Sequence, residues 1–293
     1  MVVDFLKRLE QKEIIVADGA MGTTLQVEGL TAGQAPEEWN LSHPEIIKKT
    51  HKSYLKAGAE LIVTNTLGGN PLRLKEAGLK DEFENINQKA VKLAREARDT
   101  IAKKTYIAGS VGPTGKMIKP LGILTAEEVF ANYQQQIAVL VTAGVEVIII
   151  ETMVALEEME QALAAAAEFS LPLIAEMSFQ ESKKTIMGAS IKEMVNLMNK
   201  YPVSVIGFNC TPGAGKTLPL VKSLARLTDK PLSVFPNAGK PHLKKREVVY
   251  PEKPANFVRF LNEFIDNQVK IIGGCCGTTT KTIKAIKTKI ANR

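Results

Sequence analysis

Aromatic residues, cysteines and long apolar runs are all scarce in this sequence, and each shortage closes off a class of function. Aromatics make up 5% of the 293 residues, with one tryptophan, Trp39. The base-stacking platforms of single-strand nucleic-acid binders are therefore not available in number. The cysteines number three, Cys210, Cys275 and Cys276. An odd count in a long chain without a secretion-like leader argues against a disulfide framework and for reduced thiols. The opening Met1-Val2-Val3-Asp4-Phe5 meets Asp4, Lys7 and Arg8 before any apolar run can act as a signal sequence, so a cytoplasmic protein is expected. The most apolar stretch, 137–156, is interrupted by Glu146 and Glu151 and changes period midway. It reads as a helix followed by a buried strand, and no membrane span is expected. Repeats, low-complexity segments and Pro/Ser-rich linkers are absent as well, so one domain over residues 1–293 is expected.

What is present fits an ordinary soluble enzyme, with 45% hydrophobic and 24% charged residues. The net charge is +7, but Lys and Arg are scattered along helical segments and read as solvated faces. No nucleic-acid role is expected from them; a basic surface can still dock an acidic protein.

Eight short, β-rich apolar runs alternate with segments of helical period: 14–17, 61–64, 106–109, 145–150, 173–176, 203–208, 232–235 and 269–272. That alternation predicts a parallel sheet with crossover helices, and eight runs predict a closed (β/α)8 TIM barrel of the α/β class. Pro44 after Ser42-His43 and the box-like Thr125-Ala126-Glu127-Glu128 mark helix starts; Gly58 and Gly144 mark stops. The Lys- and Pro-rich stretch 240–254 reads as a long loop after the seventh strand.

The unusual residues follow the last apolar residue of a strand, where a barrel builds its active site. Cys210 ends the sixth strand and Cys275-Cys276 the eighth. Three thiolates that leave a fourth position open suit catalytic zinc. Gly273, Gly274 and Gly277 supply the turning needed for adjacent cysteines to reach one metal. The competing readings are a strained vicinal disulfide and small buried hydrophobes without chemistry. Three thiolates on Zn²⁺ leave a net charge of −1, poor for generating hydroxide but able to hold a fourth thiolate, so a thiol substrate is expected. Asp18 and Glu151 can bind a substrate ammonium, and the Gly19 and Ala20 amides a carboxylate; Glu176 is a weaker candidate of the same kind. Against this stands the reading of these carboxylates as helix caps. Thr24 and His51 read as capping or packing residues.

Several motifs resemble the homocysteine S-methyltransferase family: Asp-Gly-Ala-Met-Gly-Thr at 18–23, Thr-Asn-Thr at 64–66, Gly-Ser-Val-Gly-Pro at 109–113 and Glu-Thr at 151–152. More specific are Gly-Phe-Asn-Cys at 207–210, Pro-Asn-Ala-Gly at 236–239 and Gly-Gly-Cys-Cys-Gly-Thr at 273–278. They look like the family's zinc-site signatures, as in the homocysteine-binding barrel of cobalamin-dependent methionine synthase. The resemblance implies that Cys210, Cys275 and Cys276 bind Zn²⁺, that Asp18 and Glu151 hold the homocysteine amino group, and that Gly19 and Ala20 contact its carboxylate. It also implies that Asn237 is a displaceable fourth zinc ligand. The sequence departs from the family at Leu67, where Phe is common, and in the proline of Gly68-Gly69-Asn70-Pro71.

Methylation of homocysteine to methionine is the expected reaction. No folate, cobalamin or reactivation module is recognisable, so methyl-cobalamin is expected to arrive on a separate corrinoid protein. The competing donors are S-methylmethionine, S-adenosylmethionine and betaine; these are cations, for which aromatic faces would be expected. A reading of another class is a noncatalytic zinc- or corrinoid-protein-binding module.

Overall fold

The computed structural model describes every residue except 1, 12, 102, 103, 245 and 246. Among the described residues the strands are β1 (Ile15–Val16), β2 (Leu61–Val63), β3 (Tyr106–Val111), β4 (Val147–Met153), β5 (Leu173–Met177), β6 (Val205–Asn209), β7 (Leu232–Phe235), β8 (His242–Lys244), β9 (Glu247–Val249) and β10 (Val269–Ile272). Eight of them form one parallel sheet in the order β1-β10-β7-β6-β5-β4-β3-β2. A parallel bridge between Ala17 and Leu61 joins the two ends, and the Asp18 amide donates to the Leu61 carbonyl at 3.0 Å. The sheet is thereby closed into the expected (β/α)8 barrel.

Alternation along the strands sorts the apolar side chains into two layers. In β4, Val147 and Ile149 join Ile15, Leu61, Tyr106, Ile174, Val205 and Ile271 in an inner cluster, while Ile148 and Ile150 pack outward in the larger cluster shared with the helices. The helix Val2–Glu10 adds Phe5 and Leu9 to the inner cluster. Phe5 meets Tyr106 edge to face at 5.0 Å between ring centroids. Packing of this kind leaves the barrel axis solid rather than porous.

The local signals hold where their chemistry is strong. Pro44 is the first residue of the helix Pro44–Ala57, which stops at the left-handed Gly58 (φ 109°). The helix Ala126–Ala143 opens with a capping box formed by Thr125 and Glu128 and ends at Gly144 (φ 92°). It leads into β4, as the stretch 137–156 predicted. Pro71 starts the short helix Pro71–Glu76, capped by the Asn70 side chain. No helix among the described residues is long and apolar enough to cross a membrane.

One expectation fails. The stretch 240–254 is not a plain loop: β8 and β9 pair there as an antiparallel hairpin with Leu243 opposite Val248. Residues 245 and 246, between β8 and β9 in the chain, lie outside the described residues. Lys and Pro content hid the hairpin because both of its faces meet water, so it lacks the period-2 apolar pattern that marks a half-buried strand.

Candidate active site and metal centre

The three cysteines converge although 65 positions separate Cys210 from Cys275 in the chain. Their sulfurs all lie within 4.8 Å of one another. Cys210 follows β6 in a left-handed conformation (φ 53°), which turns its side chain away from the strand direction. Its amide donates to the Phe235 carbonyl at 3.1 Å; the Cys275 amide donates to Pro236 at 2.9 Å and the Ala238 amide to Cys276 at 2.9 Å. The loops after β6, β7 and β10 are thus tied by main chain into one platform. Gly277 supplies the turn after the pair with φ 77°, and a Cβ on it would come within 2.1 Å of the Tyr250 ring.

All three cysteines are free thiols, with Cys275 Sγ and Cys276 Sγ 3.9 Å apart. That separation is nearly twice a disulfide bond length, so the vicinal disulfide is not formed. Crowding divides the thiols electrostatically. Hydrogen bonds from Cys210 and Cys275 pull Cys276 far below the ordinary thiol range, and contacts with Cys210 and Cys276 push Cys275 up. A cluster that already favours one thiolate is a soft, electron-rich donor set. Asn237, which follows β7, donates from Nδ2 to the Cys210 carbonyl at 3.3 Å. Its buried Oδ1 has no partner.

These thiols line one side of a cavity of about 200 Å³, whose other walls include Asp18, Gly19, Ala20 and Glu151. Asp18 accepts from the Val63 amide at 2.9 Å. Glu151 accepts from Ser110 Oγ at 2.7 Å and from Asn209 Nδ2 at 3.1 Å. Neither is a helix cap: the following helices, Gly22–Val27 and Leu156–Ala166, have Met21 and Ala155 at their N-caps, without a side-chain cap bond. Burial pushes the Asp18 carboxyl well up, with a further push from Glu151. Burial also raises Glu151, to about 7, with the Cys276 charge adding to it. Two acids held above their ordinary range in one cavity, without a cation, are poised to receive one.

Two expected residues sit differently. The Ala20 amide is engaged, donating to Thr278 Oγ1 at 3.2 Å. Glu176 is absent from the cavity lining; it is fully buried and accepts from Ser233 Oγ at 2.5 Å. Thr24 donates to the Ala20 carbonyl at 2.6 Å. His51 is fully buried and its ring is pushed down to about 4 by burial, so it packs as a neutral side chain.

Two residues were given no role from the sequence. Asn209 donates to Glu151 and Thr152 and accepts the Thr152 amide at 2.7 Å, fixing the turn on which Glu151 sits. Its place beside Cys210 was the available signal. Glu37 is buried in the segment between β1 and β2 and accepts from the Gly68 amide at 2.6 Å. It lines both the thiol cavity and a neighbouring, more open one of about 550 Å³. Within Pro36-Glu37-Glu38 nothing distinguishes it from a surface acid.

A parallel eight-stranded barrel with three thiols and unpaired carboxylates at the C-terminal ends of its strands defines a class: barrels that present a soft-metal or thiol centre at their mouth. Over residues 15–290 the chain matches the sequence profile of the homocysteine S-methyltransferase family, and it belongs to that family. It is 29% identical over 305 residues to methionine synthase of Mycobacterium tuberculosis, covering 99% of this chain and 25% of that protein. The figure for methionine synthase of Mycobacterium leprae is 28% over 304 residues, covering 98% and 25%. The chain thus spans about a quarter of the length of these relatives. The metallated form of the homocysteine methyltransferase MmuM from Escherichia coli superposes with a TM-score of 0.82 at 26% identity, covering 96% of this chain and 98% of that one. Its apo form gives 0.75 at 25% identity, covering 96% and 97%.

Proposed function

We propose that this chain transfers a methyl group to the thiol of homocysteine, giving methionine, with a methyl-corrinoid carried by a separate protein as donor. The observation that carries the reading is a single cavity with three thiols on one wall and two cation-free carboxylates on the others. Such a cavity suits a molecule with a thiol at one end and an ammonium at the other.

The donor set fits zinc. Tetrahedral zinc with Zn–S bonds of about 2.3 Å spaces its sulfurs about 3.8 Å apart, against 3.9 Å between Cys275 and Cys276. The unpartnered Asn237 Oδ1 supports a displaceable oxygen ligand at the fourth position. Zn²⁺ held by Cys210, Cys275 and Cys276 supplies the charge that keeps a thiol ionised yet nucleophilic at neutral pH. Asp18 and Glu151 receive the ammonium, and pairing with it draws both carboxyls down, so their protons leave as substrate enters. Ser110 and Asn209 hold the two Glu151 oxygens in place for that contact. The Gly19 main chain receives the carboxylate; the Ala20 amide joins only by giving up Thr278.

For the donor, the lining of the two mouth cavities contains one aromatic side chain, Phe235. This supports a donor that brings no cation to be caged. Glu37 is the one feature that favours a small sulfonium or ammonium donor instead, because a buried acid between the two cavities can balance a positive charge.

The test is zinc content and proton release on adding homocysteine to purified protein, followed by product analysis with methylcobalamin and with S-methylmethionine. Stoichiometric zinc and methionine from methylcobalamin, both lost in Cys210→Ala, are expected, with proton release that falls in that variant by the share the thiol contributes. Zinc-free protein that still methylates homocysteine would overturn the metal reading. Transfer from S-methylmethionine, abolished in Glu37→Gln, would move the reading to the second donor class.

A further inference from the structure

The net charge and the exposed apolar surface of this chain gather in the same place. The loops 112–125, 178–190 and 236–253, which follow β3, β5 and β7, carry seven basic and three acidic residues among the described residues, a net charge of +4 against +7 for the whole sequence. They also carry seven of the eleven exposed large apolar side chains among the described residues. Leu121 is 73% exposed, Ile123 70%, Ile186 73% and Leu243 75%; Met117, Met187 and Val248 complete the seven.

These side chains are held out by ordered backbone. The Lys119 amide donates to Leu124 at 2.8 Å and the Gly122 amide to Ile118 at 3.0 Å, closing the first loop. The second is closed by Gln180 to Lys184 at 2.8 Å and Thr185 to Ala189 at 3.0 Å. In the third, Leu243 and Val248 form a cross-strand pair of the hairpin, with both side chains in water. Around them Lys119, Lys183, Lys184, Lys240 and Lys253 form no ion pair among the described residues, whereas Lys116 is paired with Glu76. Fixed apolar tips among unpaired cations have the make-up of an interface centre with a polar rim.

We propose that these three loops form a crown that docks the acidic face of the methyl-carrying protein over the barrel mouth, an inference that rests on the corrinoid-protein reading above. Charge complementarity selects the occupant. A second copy of this chain would set two basic crowns against each other, and like charges oppose that pairing. The exposed tips are aliphatic, whereas a nucleic-acid platform would need stacking rings. The occupant also covers the thiol cavity, so docking and exclusion of water from the reacting sulfur are one event.

The test compares methyl transfer to homocysteine from free methylcobalamin, which needs only the cavity, with transfer from a purified methylated corrinoid protein of net negative charge. Two variants are used: the triple Leu121→Glu, Ile186→Glu, Leu243→Glu and the double Lys183→Glu, Lys184→Glu. The KM for the corrinoid protein is expected to rise at least tenfold in each variant, and wild-type kcat/KM to fall steeply with salt. Rates with free methylcobalamin should stay within twofold of wild type, which also establishes that the variants fold. A KM for the corrinoid protein within twofold of wild type would overturn the crown and leave the donor reading standing. Wild-type protein that binds homocysteine with proton release but accepts methyl from neither donor would sink the donor reading, and the crown with it. A wild-type dimer in sedimentation that the variants dissociate, or RNA binding that they abolish, would assign the surface elsewhere and overturn the proposal.

Discussion

The two ends of the barrel treat charge in opposite ways. At the N-terminal floor, Glu60 accepts from Arg8 at 2.6 Å and from Lys287 at 2.8 Å, and Arg8 also reaches Glu13 at 3.1 Å. Burial pushes Glu60 up, but the two cations outweigh it and hold the carboxyl below its ordinary value. At the mouth, Asp18 and Glu151 are buried without a cation and Glu37 feels only the weak pull of Arg73, so burial leaves all three raised. The floor carries its charges in pairs that hold the fold together; the mouth leaves its acids unpaired, as a site that awaits a ligand must. Position along the strand marks the difference: Glu60 immediately precedes β2, whereas Glu151 stands in the C-terminal part of β4.

The largest effect that would sharpen this contrast comes from the thiol wall. Cys276→Ala is expected to lower methyl transfer by more than about 100-fold, beyond the range for outer-shell partners of a metal, and to leave substoichiometric zinc. Retained zinc and activity would break the comparison at its strongest point.

Next comes the ammonium end. Removing one charged partner, in Asp18→Asn or Glu151→Gln, should weaken homocysteine binding about 10- to 100-fold, as read by calorimetry. Binding to the wild type should strengthen as pH rises through about 7, where Glu151 ionises, and Glu151→Gln should flatten that rise.

The same residue makes a stability prediction of opposite sign to the floor's. Glu151 stays protonated in the folded chain up to about 7, against an ordinary 4.5. Between those values the folded state binds the extra proton, so stability falls as pH rises across the window and remains lower above it. In zinc-free protein Glu151→Gln should therefore stabilise the fold above pH 7, by about 2 kcal/mol. The smallest effect belongs to the floor. Glu60→Gln should cost about 1 kcal/mol of stability near neutral pH and leave methyl transfer unchanged. Denaturant melts of both variants across pH 5–8 check the two signs together.

The barrel was legible because its signal is repeated eight times and each strand is buried on both sides. The cysteine trio was legible because thiols are rare here and stood at strand ends. Glu37 was not, because its role comes from a segment that folds over the mouth and meets Gly68, a contact that leaves no mark in local pattern. Glu176 shows the converse: it stands near the end of β5, but its side chain accepts from Ser233 and does not line the thiol cavity. Strand ends therefore nominate site residues, and the direction of each side chain decides among them.

The closing seam of the barrel joins architecture to ligand. Next to the single Ala17–Leu61 bridge, the Asp18 carboxylate accepts the Val63 amide in place of a backbone carbonyl. A rung of the ladder is thus made by a side chain that also faces the cavity. Whatever protonates or pairs with Asp18 acts on the barrel's joint, so the exchange of the Val63 amide hydrogen becomes a built-in gauge of occupancy, readable from the main chain without touching the metal.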